Sequence, residues 1–215
     1  MPPAAVRPAW GAVVPVKRLD VAKSRLGAYG DAARRALALA FATDVVAAAL
    51  ACPAVGQVLV VTDDPHAAAT LAALGARVAP DDPDGGLNPA LAHGADLLRA
   101  REPQLGVVTV SADLPSLTPL DLAEVLAAVP AGGRAFVADS AGTGTTLLAA
   151  AAPAPLAPSY GQGSRARHRR SGALELPGTP ALRRDVDTPA DLRAAIALGV
   201  GARTAAAAAG LPPLP

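Results

Sequence analysis

Apolar residues in this chain fall into short continuous runs separated by longer stretches with helical spacing. "WGAVVPV" (10–16), "QVLVVTDD" (57–64), "ARVAPD" (76–81) and "LGVVTVSAD" (105–113) have the pattern of strands buried on both faces. Between them, "GDAARRALALAFATDVVAAALA" (30–51) keeps apolar residues on one side and arginines on the other. This predicts a helix capped by Asp31 and stopped before Pro53. "PHAAATLAALGA" (65–76) predicts a helix ended by Gly75, and "NPALAHGADLLRARE" (88–102) one capped by Asn88 with Pro89 at its first position. "TPLDLAEVLAAV" (118–129) predicts another capped helix.

The alternation then breaks. "RAFVADSAG" and "TGTTLLAAA" read as two antiparallel strands joined by a tight glycine turn, and "DVDTPADLRAAIALG" as a strand end running into a helix. The fold class expected is α/β: a mostly parallel central sheet, helices on both faces, and a late antiparallel addition. One domain is expected over 10–209, with a flexible N-terminus at 1–9 and a flexible tail at 210–215. In such sheets ligands gather beyond the carboxyl ends of the strands, so the loops there carry the chemistry.

Composition narrows the function classes. Nineteen lysines and arginines against 18 aspartates and glutamates leave a net charge of +1, which gives no overall attraction to nucleic acid or an anionic membrane. Any use of charge is local. The single cysteine, Cys52, excludes an internal disulfide and lies in an apolar stretch. Without a secretory h-region or a membrane-spanning run, a cytoplasmic protein is expected.

Four clusters carry candidate chemistry. Lys17, Arg18, Lys23 and Arg25 crowd the loop after the first strand. A nucleoside triphosphate needs such convergent cations, although a merely solvated basic loop has the same composition. P-loop spacing is absent. In "VSADLPSL" (110–117), Asp113 ends a buried strand, where it either holds a divalent cation or serves as an acidic turn residue before Pro115.

In "RRDVDTPADL" (183–192), strand alternation puts Asp185 and Asp187 on one side and Val186 in the core, which makes a cation site; Asp187 or Thr188 also suits a helix N-cap. The fourth cluster joins "GTGTT" (142–146) to "SYGQGSRARHRR" (159–170). Glycine turns expose N–H groups, Thr145, Thr146 and Ser164 add hydroxyls, and a helix starting near Ser164 aims its positive end at an anion. Arg165, Arg167, Arg169 and Arg170 add to the field, which suits a small phosphorylated or carboxylated substrate. A flexible arginine-rich surface loop, or an RNA contact disfavoured by the scarcity of aromatics, are the other readings. His168 reads as solvated among arginines, with substrate contact left open, and His66 and His93 receive no role. Two anion sites flanking an acidic metal site match nucleotidyl transfer to a phosphate, itself a competent nucleophile needing no general base.

"PVKRLDVAKSRL", "GLNPAL", "SADLPSLTPLDL", "GTGTTLLAA", "YGQGSRARH" and "DVDTPADL", in that order from Trp10 to Gly199, resemble the phospholactate and phosphoenolpyruvate guanylyltransferases of deazaflavin coenzyme biosynthesis. The resemblance implies a single Rossmann-like nucleotidyltransferase domain of the glycosyltransferase-A type. It implies that Asp113, Asp185 and Asp187 hold Mg²⁺ and that Thr146, Gly161 and Ser164 bind the acceptor. It also implies that Lys17, Lys23 and Arg25 lie against the GTP phosphates, with Lys17, Lys23 and Asp113 as catalytic candidates, and that Asn88 in the "GGLN" turn lies near the base or ribose.

Actinobacterial members of that family are associated with phosphoenolpyruvate and archaeal ones with 2-phospholactate. The alanine-, proline- and arginine-rich composition resembles a GC-rich actinobacterial chain, so GTP and phosphoenolpyruvate are the substrates expected. Alternatives are the same chemistry on 2-phospho-L-lactate, nucleotidyl transfer to a molybdenum cofactor, and a non-catalytic GTP-binding module. Neither nucleic acid nor membrane is an expected partner. Hand-off of product to the next enzyme, and the oligomeric state, stay open from sequence.

Overall fold

The computed structural model describes residues 10–81 and 85–211. The expected N-terminal arm at 1–9 lies outside the described residues, as does the tail beyond residue 211. In chain order the elements are β1 (Trp10–Pro15), a 3₁₀ turn (Ser24–Tyr29), α1 (Asp31–Ala51), β2 (Val55–Val61), α2 (Pro65–Ala72), β3 (Arg77–Ala79), α3 (Leu87–Arg99) and β4 (Gly106–Val110). They continue with α4 (Pro119–Ala127), β5 (Arg134–Ala138), β6 (Thr145–Ala150), α5 (Ser164–Arg170), β7 (Leu174–Glu175), α6 (Pro180–Arg183), α7 (Pro189–Leu198) and α8 (Ala202–Ala209). Among the described residues no helix is long and apolar enough to cross a membrane.

The sheet runs β3-β2-β1-β4-β6-β5-β7. β6 alone runs against its neighbours, pairing antiparallel with both β4 and β5, while the other pairings are parallel. Strand alternation divides the core. Ala12 and Val14 pack to one face with Ala42, Val45 and Ala49 of α1, whereas Val13 packs to the other with Leu91 and Leu98 of α3. Gly94 permits the close approach of α3: a Cβ there would stand 2.8 Å from Val13 Cγ1 and 3.2 Å from Val61 Cγ2. A third, smaller cluster joins Leu26, Leu37 and Phe41 to Val186, Leu192 and Ala195. It clamps the basic loop and the C-terminal segment onto α1.

Three local expectations are corrected. Gly30, not Asp31, caps α1, and Gly86, not Asn88, caps α3; φ there is 87° and 91°, values only glycine takes easily, and glycine has no side chain to make a cap bond. The "DVD" segment joins no strand. Its alternation survives through one backbone bond from Val186 N to Asp113 O, 3.0 Å, and through Val186 being fully buried. By contrast, Thr118 and Thr188 build full capping boxes with Asp121 and Asp191, with Pro119 and Pro189 as first helical residues.

Candidate active site

Between β1 and β4 the strand order changes direction, and beyond that edge lies a cleft of about 580 Å³. The loop after β1 supplies Lys17, Lys23 and Arg25, the end of β4 supplies Ser111 and Asp113, and the end of β5 supplies Asp139. Because β6 is antiparallel, its first residue, Thr145, reaches the same edge. Gly161, Ser164, Asp185 and Asp187 complete the far wall.

The basic loop is held from below. Arg34, buried on α1, donates to the carbonyls of Leu19 (3.1 Å), Asp20 (2.8 Å) and Ala22. Asp64, the N-cap of α2, accepts from His66 N and Ala67 N and spends its other oxygen on Leu19 N at 2.8 Å. This scaffold imposes an unusual backbone on Lys23, φ 55° and ψ 42°, the left-handed region that a residue with a Cβ enters only when its surroundings demand it. The reward is position: Lys23 Nζ donates to Asp113 Oδ2 at 2.5 Å and to Asp187 Oδ1 at 2.7 Å. Burial alone would lower the Lys23 pKa, but the two carboxylates outweigh it and hold the ammonium above the usual lysine range. Lys17 and Arg25 are exposed, with Arg25 4.0 Å from Asp187 Oδ2, and Arg18 turns away to pair with Asp20.

The acidic wall is over-charged. Burial, then the negative charge of Asp113, Asp187 and Asp139, pushes the Asp185 carboxyl up to about 7. Asp113 Oδ1 is buried without a hydrogen-bond partner among the described residues. Among those residues no three acidic, histidine or cysteine side chains close into a ready chelate; an ammonium sits on two of them instead. A carboxylate set with an orphan oxygen, one carboxyl driven toward neutrality and a cation already drawn in fits a hard divalent ion.

At the glycine turn and the arginine-rich segment the sequence reading is revised. Asp139, which it missed, accepts from Thr143 N and Gly144 N at 2.8 Å each, so these N–H groups of the glycine turn are already engaged. An Asp three residues before a Gly-Thr-Gly turn is the pattern that could have revealed it. Thr145 lines the cleft, whereas Thr146 Oγ1 turns toward Val137 O at 3.5 Å. The arginines mostly build structure: Arg165 and Arg169 pair with Glu175, and Arg167 binds the carbonyls of Ser159, Tyr160 and Gln162. His168 is not solvated but fully buried. Asn88 pairs with the backbone of Tyr160 in both directions, accepting from Tyr160 N at 2.6 Å and donating to Tyr160 O at 3.2 Å, so its amide braces the loop that carries Gly161.

Residues 39–174 match the MobA-like NTP transferase domain family. A phosphoenolpyruvate guanylyltransferase of Thermomonospora curvata is 59% identical over 205 residues, covering 94% of this chain and 90% of that protein. One from Streptomyces scabiei is 61% identical over 209 residues, covering 94% and 97%. The chain belongs to the phosphoenolpyruvate guanylyltransferase family. Solved structures agree at the level of fold: a nucleotidyl transferase from Methanothermobacter superposes with TM-score 0.60 at 18% identity, covering 88% of this chain and 97% of that one. A Mycobacterium tuberculosis protein in complex with manganese superposes with TM-score 0.54 at 23% identity, covering 87% and 97%. As in that family, the alternating strands and helices of this chain form one α/β nucleotidyltransferase domain.

Proposed function

We propose that this chain transfers GMP from GTP to phosphoenolpyruvate. An oxygen of the acceptor phosphate forms a bond to the α-phosphorus of GTP, the bond from that phosphorus to the α,β-bridging oxygen breaks, and pyrophosphate leaves. The observation that carries the reading is the Lys23 ammonium fixed between Asp113 and Asp187 at the switch point of the sheet, since it puts a cationic loop and an acidic wall across one cleft. Lys17, Lys23 and Arg25 neutralise the triphosphate and the departing pyrophosphate. Thr145, Gly161 and Ser164, which line the cleft where Thr146 does not, orient the acceptor, with the loop braced by Asn88. Asp113, Asp185 and Asp187 would hold Mg²⁺, which supplies charge neutralisation at the reacting phosphates when bound.

Purified protein incubated with GTP and either phosphoenolpyruvate or 2-phospho-L-lactate, with CTP as a control nucleotide, tests the reading by product mass and pyrophosphate release. A guanylylated enolpyruvyl product is expected. Absence of a guanylylated three-carbon product overturns it, and preference for CTP moves the base specificity. Asp185→Asn is expected to abolish turnover; a protein that only binds GTP would show no turnover to lose.

A further inference from the structure

Under the acceptor wall lies a buried relay whose hydrogens can be counted. Ser159 N–H donates to His168 Nε2 at 3.0 Å, so that nitrogen carries no proton. In a neutral imidazole the proton is then on Nδ1, which donates to Thr145 Oγ1 at 2.9 Å. Thr145 Oγ1 also lies 3.1 Å from Ser164 Oγ. Two hydroxyls own two hydrogens, and their mutual bond uses one. Among the described residues no acceptor takes the other, and Thr145 and Ser164 both line the cleft.

We infer that Thr145 and Ser164 together present one outward hydroxyl hydrogen to the anionic group of the acceptor, and that His168 is the positioning residue that sets this polarity. The acceptor's identity rests on the guanylyl-transfer reading; the hydrogen-bond polarity does not. The opposite tautomer would take the Thr145 hydrogen itself, leaving the pair with one fewer hydrogen for an anion. His168 is well placed to prevent that, being fully buried against Phe136 and the edge of Tyr160 at ring separations of 5.7 and 5.3 Å. Burial, reinforced by Arg134 and Arg167, lowers its pKa to about 4, so the ring is neutral when the enzyme works. The class of group recognised is an ionised carboxylate or phosphate oxygen, which only accepts.

Nitrogen-15 NMR of the imidazole in the ligand-free wild-type protein reads the polarity directly. A bare Nε2 and a protonated Nδ1 are expected; a protonated Nε2 overturns the inference. In steady-state kinetics, Thr145→Val leaves Ser164 without a partner to fix its rotor and is expected to raise the phosphoenolpyruvate KM about tenfold with little change in GTP KM, while Thr145→Ser stays near wild type. His168→Leu is expected to behave like Thr145→Val. His168→Asn, which returns a donor near the Nδ1 position, is expected to recover part of the loss. Equal rises in both KM values, or no change in acceptor KM, would mean a purely structural role. Calorimetric titration of phosphoenolpyruvate into GTP-free wild type and Thr145→Val in magnesium buffer separates the two proposals: weaker acceptor binding by the variant supports the relay even if no guanylyl transfer occurs, and equal binding overturns it.

Discussion

Lys23 and Asp113, 90 residues apart in sequence, meet at 2.5 Å, and the same ammonium reaches Asp187 from the other end of the chain. The contact joins the basic loop to the acidic wall, so a change on either side is felt on both. Lys23→Met strips a cation from two carboxylates and from the proposed triphosphate path. Turnover is expected to fall by at least about a hundredfold, the usual loss when one preorganised charge partner is removed. Lys23→Arg is expected to recover only part of it, because a planar fork does not replace a point charge in a side chain 13% exposed. Pyrophosphate release at saturating substrates measures both variants.

Arg34 never touches the cleft, yet the loop that does depends on it. Arg34→Leu leaves the carbonyls of Leu19, Asp20 and Ala22 without their guanidinium donor. A loss of about 2–4 kcal/mol in urea unfolding is expected. The GTP KM should rise with it, since Lys17 and Lys23 ride on that loop; unchanged stability and unchanged GTP KM would contradict the scaffold role.

Asn88 separates two assignments. If its amide serves mainly to brace Tyr160, Asn88→Ala raises the acceptor KM about tenfold, the value of one or two lost hydrogen bonds, and spares GTP. A larger effect on GTP KM, or altered discrimination between GTP and other nucleotides, would return Asn88 to the base or ribose.

His168 also makes stability depend on pH. Its folded pKa of about 4 lies below the ordinary 6.5, so between those values the unfolded chain binds the extra proton. Stability is therefore full above pH 6.5 and falls as pH drops toward 4, by up to about 3 kcal/mol from this group. Thermal melting of wild type and Thr145→Val across pH 4 to 7.5 should show the slope in both. In His168→Asn, which cannot titrate, that component should vanish.

Several features were legible in the residues because they are local. The run "WGAVVPV" is apolar on both faces and can only be an interior strand; Thr-Pro followed by an aspartate at 118 and 188 writes a capping box within four residues. The alternation of such segments makes the sheet mostly parallel, and the glycine turn before "TTLLAAA" announces the reversed strand. Asn88 shows where local reading fails: an Asn-Pro pair suits a helix start, but a tertiary partner 72 residues away captures the amide and glycine takes the cap.

The sequence by itself determined the order of strands and helices from β1 through β6, the loops that would carry charge and the residue types available for phosphate and metal chemistry, since these follow from spacing along a few turns of chain. Only the tertiary structure decided which charges meet. Lys23 goes to Asp113 and Asp187, Arg165 and Arg169 to Glu175, and His168 to the interior, because packing brings distant segments together and each buried polar group must find its partner there.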